Sequence, residues 1–198
     1  MITPLIFATN NTNKVAEIKT VLGNLFEIIS LKEAGIDIDI PEPYNTLEEN
    51  ATAKSQTIFK LTGKNCFSED TGLLVDALNG EPGVKSARYA GDNSSNKENI
   101  EKLMMKLGDS DNRKAHFRTI ISLILGGKEK QFEGICQGKI LKTAVGEKGF
   151  GYDAVFMPDG GNKSFAEMET EEKNLYSHRK KAMKKLIEFL NSSSNGKN

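Results

Sequence analysis

Leu5-Ile6-Phe7-Ala8-Thr9-Asn10-Asn11-Thr12-Asn13-Lys14 sets the class of the fold. Its first four residues are a short continuous apolar run, the pattern of a strand buried on both faces. The next six are polar and rich in helix-capping types. Beyond them Val15, Ile18, Leu22 and Leu25 recur at spacings of three and four, which predicts a helix. Strand, polar turn and helix N-terminus in that order make an anion site. Free backbone N–H groups and the helix dipole face the turn, and Lys14 adds a full charge. A plain strand-to-helix connection capped by Asn or Thr has the same pattern, so the stretch establishes an α/β class before it establishes a ligand. The glycines and the Lys-Ser/Thr pair of a Walker A loop are absent.

Working outward, Phe26 to Leu31 reads as a second strand. Ile36 to Tyr44 reads as an extended acidic loop carrying Asp37, Asp39, Glu42 and two prolines. Thr46 and Glu49 then form a capping box. The helix they open has an apolar stripe at Leu47, Ala51, Ile58 and Leu61, with Lys54 in the middle of that stripe and Asn50 at its edge. A lysine so placed must snorkel or meet a negative partner. Asn65 to Ser68 reads as a third strand. Ser68-Glu69-Asp70-Thr71-Gly72 reads as the turn that ends it. Two neighbouring carboxylates at a strand end ask for a cation between them, and a hard, oxygen-ligated ion such as Mg²⁺ meets that need. Two solvated acids in an ordinary turn give the same sequence.

Farther along, Gly80 to Gly83 is a turn by composition. Ser86 to Gly91 holds Arg88 among small residues, which suits either the close approach of a ligand or a surface loop. Ser95 and Glu98 form a second capping box before a helix with Ile100, Leu103, Met104 and Leu107 on one face. His116 to Leu125 and Lys130 to Leu141 are long strands joined at Gly126-Gly127, which brings antiparallel pairing into the sheet. Gly149-Phe150-Gly151-Tyr152-Asp153 sets two aromatic residues between glycines and ends on an acid. Such a loop can offer a ring face to a planar ligand. A strand is expected from Asp153 to Met157 and a capped helix start at Thr170 to Lys173. Ser177-His178-Arg179 heads a last helix whose apolar face is Ala182, Met183, Leu186 and Leu190, followed by a polar tail, Asn191 to Asn198, expected to fray.

The totals narrow the function. A chain of 198 residues suits a single sizeable domain with a real core. Lys plus Arg and Asp plus Glu both number 27, so no net field points to nucleic acid or a membrane, and any anion site must be local. No apolar run approaches a membrane span, and Met1 to Pro4 lack the marks of a signal peptide. The two cysteines, Cys66 and Cys136, lie in apolar stretches and fit a reduced, cytoplasmic protein. His116 and His178 are too far apart for zinc spacing. What remains is acids at Glu42, Glu69 and Asp70, cations at Lys14, Lys54, Lys173 and Arg179, and an aromatic-glycine loop. Together they suggest a nucleoside polyphosphate, with metal and lysines offsetting phosphate charge and a carboxylate deprotonating a water. Read from residues alone, the chain is a nucleotide-handling α/β domain.

These residues, in this order, resemble the inosine triphosphate pyrophosphatase or Ham1-like family. The likeness runs through Thr9 to Lys14, Glu49 to Lys54, Glu69 to Leu73, Pro82-Gly83, Ser86 to Gly91, Gly149 to Asp153, Glu171 to Lys173 and Ser177 to Arg179. The resemblance implies an α/β fold with a mixed, strongly twisted central sheet flanked by helices, and two lobes with the active-site cleft between them. It implies Mg²⁺-dependent hydrolysis of ITP, dITP or XTP to the monophosphate and pyrophosphate, by a cytoplasmic homodimer that cleanses the nucleotide pool. Carried over by position, Thr9, Asn10, Asn11, Thr12, Asn13, Lys14 and Lys54 would hold the triphosphate. Glu42 and Asp70 would bind metal with help from Glu69, and Asp70, with Lys14 beside it, would serve the chemistry. Thr71, Arg88, Phe150, Gly151, Tyr152, Asp153, Lys173, His178 and Arg179 would contact the rest of the substrate, with Phe150 stacking on the base. Arg179 facing the purine 6-position would favour a keto oxygen over an amino group. The first loop has Asn10 where many members have glycine, and Glu69-Asp70 stands where many bacterial members have two aspartates. Two other readings compete: a pyrophosphatase for modified pyrimidine nucleotides, and a purine-nucleotide-binding module without turnover.

Overall fold

The apolar run that opens the chain forms β1 (Leu5–Phe7) in the structure, a computed structural model that describes residues 4–22 and 26–195. Met1 to Thr3, Leu25 of the first helical stripe, and residues 196–198 of the tail lie outside the described residues. All three residues of β1 are buried, as an unbroken apolar strand requires, and β1 runs parallel to both β2 (Ile28–Ser30) and β3 (Cys66–Val75). Between β1 and β2 lies α1 (Thr12–Leu22). Asn11 caps it, its Oδ1 accepting from the backbone N–H of Asn13 at 3.0 Å and of Lys14 at 3.2 Å.

Helix α2 (Leu47–Thr62) starts at Thr46, whose hydroxyl accepts from the Glu49 N–H, and stops at Gly63 in a left-handed conformation. The Glu49 carboxylate accepts from the Thr46 hydroxyl rather than from its backbone N–H, so this box closes through side chains. The buried face is Leu47, Asn50, Ala51, Lys54, Ser55 and Ile58. Leu61, expected on that stripe, is 58% exposed because it lies in the last turn, past the last buried residue. After β4 (Pro82–Gly83), α3 (Asn96–Leu107) carries the full Ser95–Glu98 capping box. β5 (Lys114–Leu125) and β6 (Lys128–Ile140) are joined by Gly126 and Gly127, both at positive φ, as a two-residue hairpin loop demands.

The chain closes with β7 (Phe156–Pro158), α4 (Thr170–Tyr176) and α5 (His178–Asn195). Residues Asp153 to Val155, expected to begin a strand, instead make a short 3₁₀ turn, because the Asp153 carboxylate turns back onto its own loop. Helix α4 is preceded by Glu169 at its N-cap, with no side-chain cap of the kind Thr170 was expected to provide. Helix α5 buries Ala182, Met183, Leu186 and Leu190 as their spacing requires, and it stays helical as far as Asn195, well into the tail expected to fray. Among the described residues seven strands form one mixed sheet in the order β2-β1-β3-β5-β6-β7, with β4 on β3. The β3–β4 and β6–β7 pairs are antiparallel.

Ser68 to Gly72 is not a turn at the end of a strand but the middle of β3. Glu69 and Asp70 are both buried there, which only charge partners can sustain. Gly72 is small for a reason: a Cβ at that position would lie 2.6 Å from the carbonyl oxygen of Gly83.

The chain divides into two units. The first comprises Met1–Asp70, Thr119–Gly134 and Arg179–Asn198; the second comprises Thr71–Arg118 and Ile135–His178. The first unit has apolar clusters around Phe7, Phe67 and Leu186, and around Ile6, Ile58 and Cys66. The second is built around Leu103, Phe117, Phe156 and Phe165. Each unit holds one of the two cysteines, both buried and reduced. No described helix is long and apolar enough to cross a membrane.

Candidate active site

Alternation along β3 sends Glu69 and Asp70 to opposite faces. Asp70 points with Ser68 toward α2, where the Ser68 hydroxyl donates to the Ala51 carbonyl and the Lys54 ammonium lies 3.1 Å from Asp70 Oδ1. Lys54 is only 6% exposed and also bonds the Glu42 carboxylate. A lysine on a core-facing stripe therefore meets two negative partners, one of the outcomes its position demanded. Burial opposes the charge on Lys54, yet Asp70 and Glu42 raise its pKa above the ordinary lysine value. Burial pushes the Asp70 carboxyl above its ordinary value; Lys54 and Lys14 pull it down and Glu42 pushes it up again. Its second oxygen, Oδ2, is buried without a hydrogen-bond partner.

Glu69 faces the other way, toward α5. Its two oxygens accept from Arg179 Nε at 2.7 Å and Nη2 at 2.9 Å, a bidentate pair, while the Lys14 ammonium lies 3.2 Å from Oε1. Arg179 Nη1 bonds Glu17. Burial works against the Glu69 charge, but Arg179 and Lys14 outweigh it and hold the carboxyl well below the usual range. Arg179, also opposed by burial, is held above its ordinary value by Glu69 and Glu17. Its guanidinium thus has carboxylate partners inside the first unit. Glu17 was not singled out by sequence. The signal was present: it lies one helical turn after Lys14, so both reach the same cluster.

The first loop is exposed from Asn10 to Asn13, with Lys14 half-buried above Glu69. The Thr9 hydroxyl accepts from the Asn11 N–H, and Asn10 Nδ2 donates to the Ile38 carbonyl at 2.8 Å. The loop presents its polar groups to solvent, as an anion site should.

In the second unit the Gly149 to Asp153 loop folds on itself. Asp153 Oδ2 accepts from the Phe150 N–H at 3.0 Å and from the Lys173 ammonium at 2.8 Å. Lys173 Nζ stands 5.4 Å from the centre of the Phe150 ring and 5.5 Å from that of Phe165, within cation–π range. Gly149 is at φ 75°, and a Cβ on it would fall inside the Asp153 carboxylate, so glycine is needed to close the loop. Gly151, also at positive φ, has open space beside it. The Tyr152 hydroxyl donates to the Ser86 carbonyl at 2.9 Å. His178 is buried and stacks on Phe117 with ring centres 4.7 Å apart. Thr71 and Arg88 are half-buried, Arg88 on a short 3₁₀ turn.

Of the three acids expected at a metal, the structure brings together Glu42 and Asp70, which share Lys54, and turns Glu69 away to Arg179. Among the described residues no three carboxylate, histidine or cysteine side chains converge as a metal cage. Mg²⁺ does not require one: it keeps waters and uses one or two carboxylates together with substrate phosphates. Two carboxylates facing one ammonium, one of them with a buried oxygen unbonded, fit that donor set.

Comparison with known proteins shows what the chain resembles. The Ham1 family model matches residues 5–189. The dITP/XTP pyrophosphatase of Flavobacterium psychrophilum is 46% identical over 186 residues, covering 94% of this chain and 98% of that protein. That of Caldanaerobacter subterraneus subsp. tengcongensis is 48% identical over 190 residues, covering 94% and 95%. The solved structure of the Staphylococcus aureus Ham1 protein superposes with a TM-score of 0.87 at 39% identity, covering 96% of this chain and all of that one.

Proposed function

This chain belongs to the Ham1 family, and from that premise we propose that it hydrolyses purine nucleoside triphosphates with non-standard bases, ITP, dITP and XTP, to the monophosphate and pyrophosphate. The observation that carries the mechanism is Asp70, a buried carboxyl with a raised pKa and an unbonded oxygen beside Lys54. A carboxylate with a raised pKa is a stronger proton acceptor.

In this reading the Asp70 carboxylate orients a water and takes its proton as the water attacks the α-phosphorus, and pyrophosphate leaves. Lys14, Lys54 and the loop from Thr9 to Asn13 hold the triphosphate. Glu42 and Asp70 would hold Mg²⁺, which would offset phosphate charge and favour deprotonation of the attacking water. Glu69, engaged by two cations, keeps Arg179 and Lys14 in place. Phe150 supplies a stacking face, with Gly151, Tyr152 and Thr71 beside it, and Arg88 assists from its own loop. Lys173, set by Asp153, and His178 supply donors to the base. A 6-keto oxygen accepts from such donors and a 6-amino group does not, which disfavours ATP. The active species is proposed to be a homodimer in the cytoplasm.

A panel of ITP, dITP, XTP, ATP and modified pyrimidine triphosphates with Mg²⁺, read out as pyrophosphate, tests this. Pyrophosphate from the first three and little from the others is expected. Orthophosphate as the product, or equal turnover of ATP, would refute it.

A further inference from the structure

The segment from residue 36 to 45 has no helix or strand of its own, yet it carries Glu42. Two asparagines tie it down. Asn50, on the buried face of α2, is 0% exposed. Its Oδ1 accepts from the Tyr44 N–H at 3.0 Å and its Nδ2 donates to the Tyr44 carbonyl at 3.1 Å. One side-chain amide thus pairs with both backbone groups of one residue, as a neighbouring strand would. The second tie is Asn10, whose Nδ2 donates to the Ile38 carbonyl from the first loop. Glu42 lies between the two tie points.

We infer that Asn50, with Asn10 as a second anchor, is a positioning residue that sets the Glu42 carboxylate against Lys54 and Asp70. Asn50 and Lys54 are four residues apart on one helix, so they lie one above the other on one face. The helix that fixes the ammonium therefore also fixes the loop bearing its partner. A buried asparagine is a poor helix former and costly to desolvate, so its place in α2 is explained by these two bonds. An alanine there would leave the Tyr44 N–H and carbonyl to find other partners and free the loop at its α2 end. Asn10 makes the same kind of tie from the loop proposed to hold phosphate, so the phosphate and cation ends of the site share one strap.

The inference rests on the proposed assignment of Glu42 and Asp70 to the cation, and its test separates the two. Mn²⁺ alone is titrated into the full chain, with free Mn²⁺ followed by electron paramagnetic resonance and folding followed by circular dichroism. Asn50→Ala and Glu42→Gln should each weaken Mn²⁺ binding about tenfold, as loss of an orienting partner does. The double variant should bind no more weakly than Glu42→Gln alone, since Asn50 acts through Glu42. Asn10→Ala, at an exposed residue, should weaken binding in the same direction by less. If Asn50→Ala fails to fold, the Asn10→Ala and Glu42→Gln cycle decides by the same criterion. Unchanged binding in both asparagine variants beside a weakened Glu42→Gln, or additive losses in the double variant, would overturn the positioning role. Unchanged binding in Glu42→Gln and Asp70→Asn would instead overturn the cation assignment.

Discussion

The two units solve recognition with different materials. The first sets an uncharged polar loop, Thr9 to Asn13, beside a charged cluster of Lys14, Glu17, Glu42, Lys54, Glu69, Asp70 and Arg179. The candidate residues of the second include rings, a glycine, Thr71, Arg88 and the buried ion pair of Lys173 with Asp153. In the first unit Arg179 and Lys14 face Glu69 and Glu17, and Lys54 faces both Asp70 and Glu42. Burial strengthens each of these charge pairs. A triphosphate demands strong fields, whereas telling one purine from another demands a flat surface and a few well-aimed donors.

The sharpest way to break this contrast is Asp70→Asn. It removes the proton acceptor and should lower pyrophosphate release from ITP by about 10²–10⁴-fold, measured by steady-state assay. In the metal-free chain the Asp70 carboxyl should titrate above the ordinary aspartate range, read by NMR, because burial raises it. Glu69→Gln comes next. It removes the bidentate carboxylate partner of the buried Arg179 and should cost ~3–5 kcal/mol of stability, read by urea unfolding. Its pH dependence has a defined sign. The folded-state value of Glu69 is depressed, so its stabilisation is present above the unfolded value and is lost as pH falls through the folded one. The variant should therefore show a flatter loss of stability in acid. In the second unit, Phe150→Ala should remove about 1–3 kcal/mol of base stacking, seen as a higher KM for ITP with little change in unfolding midpoint. Leu61→Gln, on the exposed last turn of α2, should change stability by less than ~0.5 kcal/mol.

Local signals carried the helices well. Ser95 with Glu98 marked the start of α3, and the Ala182-Met183-Leu186-Leu190 spacing marked the buried face of α5, because caps and stripes depend on residues within a turn or two. The helical phase of Lys54 alone sets it on a core-facing stripe, and the structure selects an acid partner over snorkelling. Glu69 and Asp70 read as a turn because what keeps them in a strand is remote: Arg179 lies 110 residues from Glu69, and Lys54 lies 16 from Asp70. Two adjacent acids look like a turn until their counter-charges are known. Arg179 was found as a residue but not by its partners, for the same reason, and Glu17 looked like any acid on a helix surface. The Asp153 loop differed from a strand because its carboxylate bonds its own backbone, a choice that alternating hydrophobicity does not record.

The placement of the two cysteines gives the molecule a built-in pair of clocks. Cys66 sits in the first unit with its thiol donating to the Ser55 carbonyl at 3.2 Å, and burial pushes its pKa up to about 12; Cys136 is buried in the second. An alkylating reagent needs an exposed thiolate, so neither sulfur reacts until its own surroundings open. Pulse labelling followed by peptide mass spectrometry would time each opening separately, with no engineered probe. Two matched rates would mean the halves breathe as one body, and two different rates would rank them.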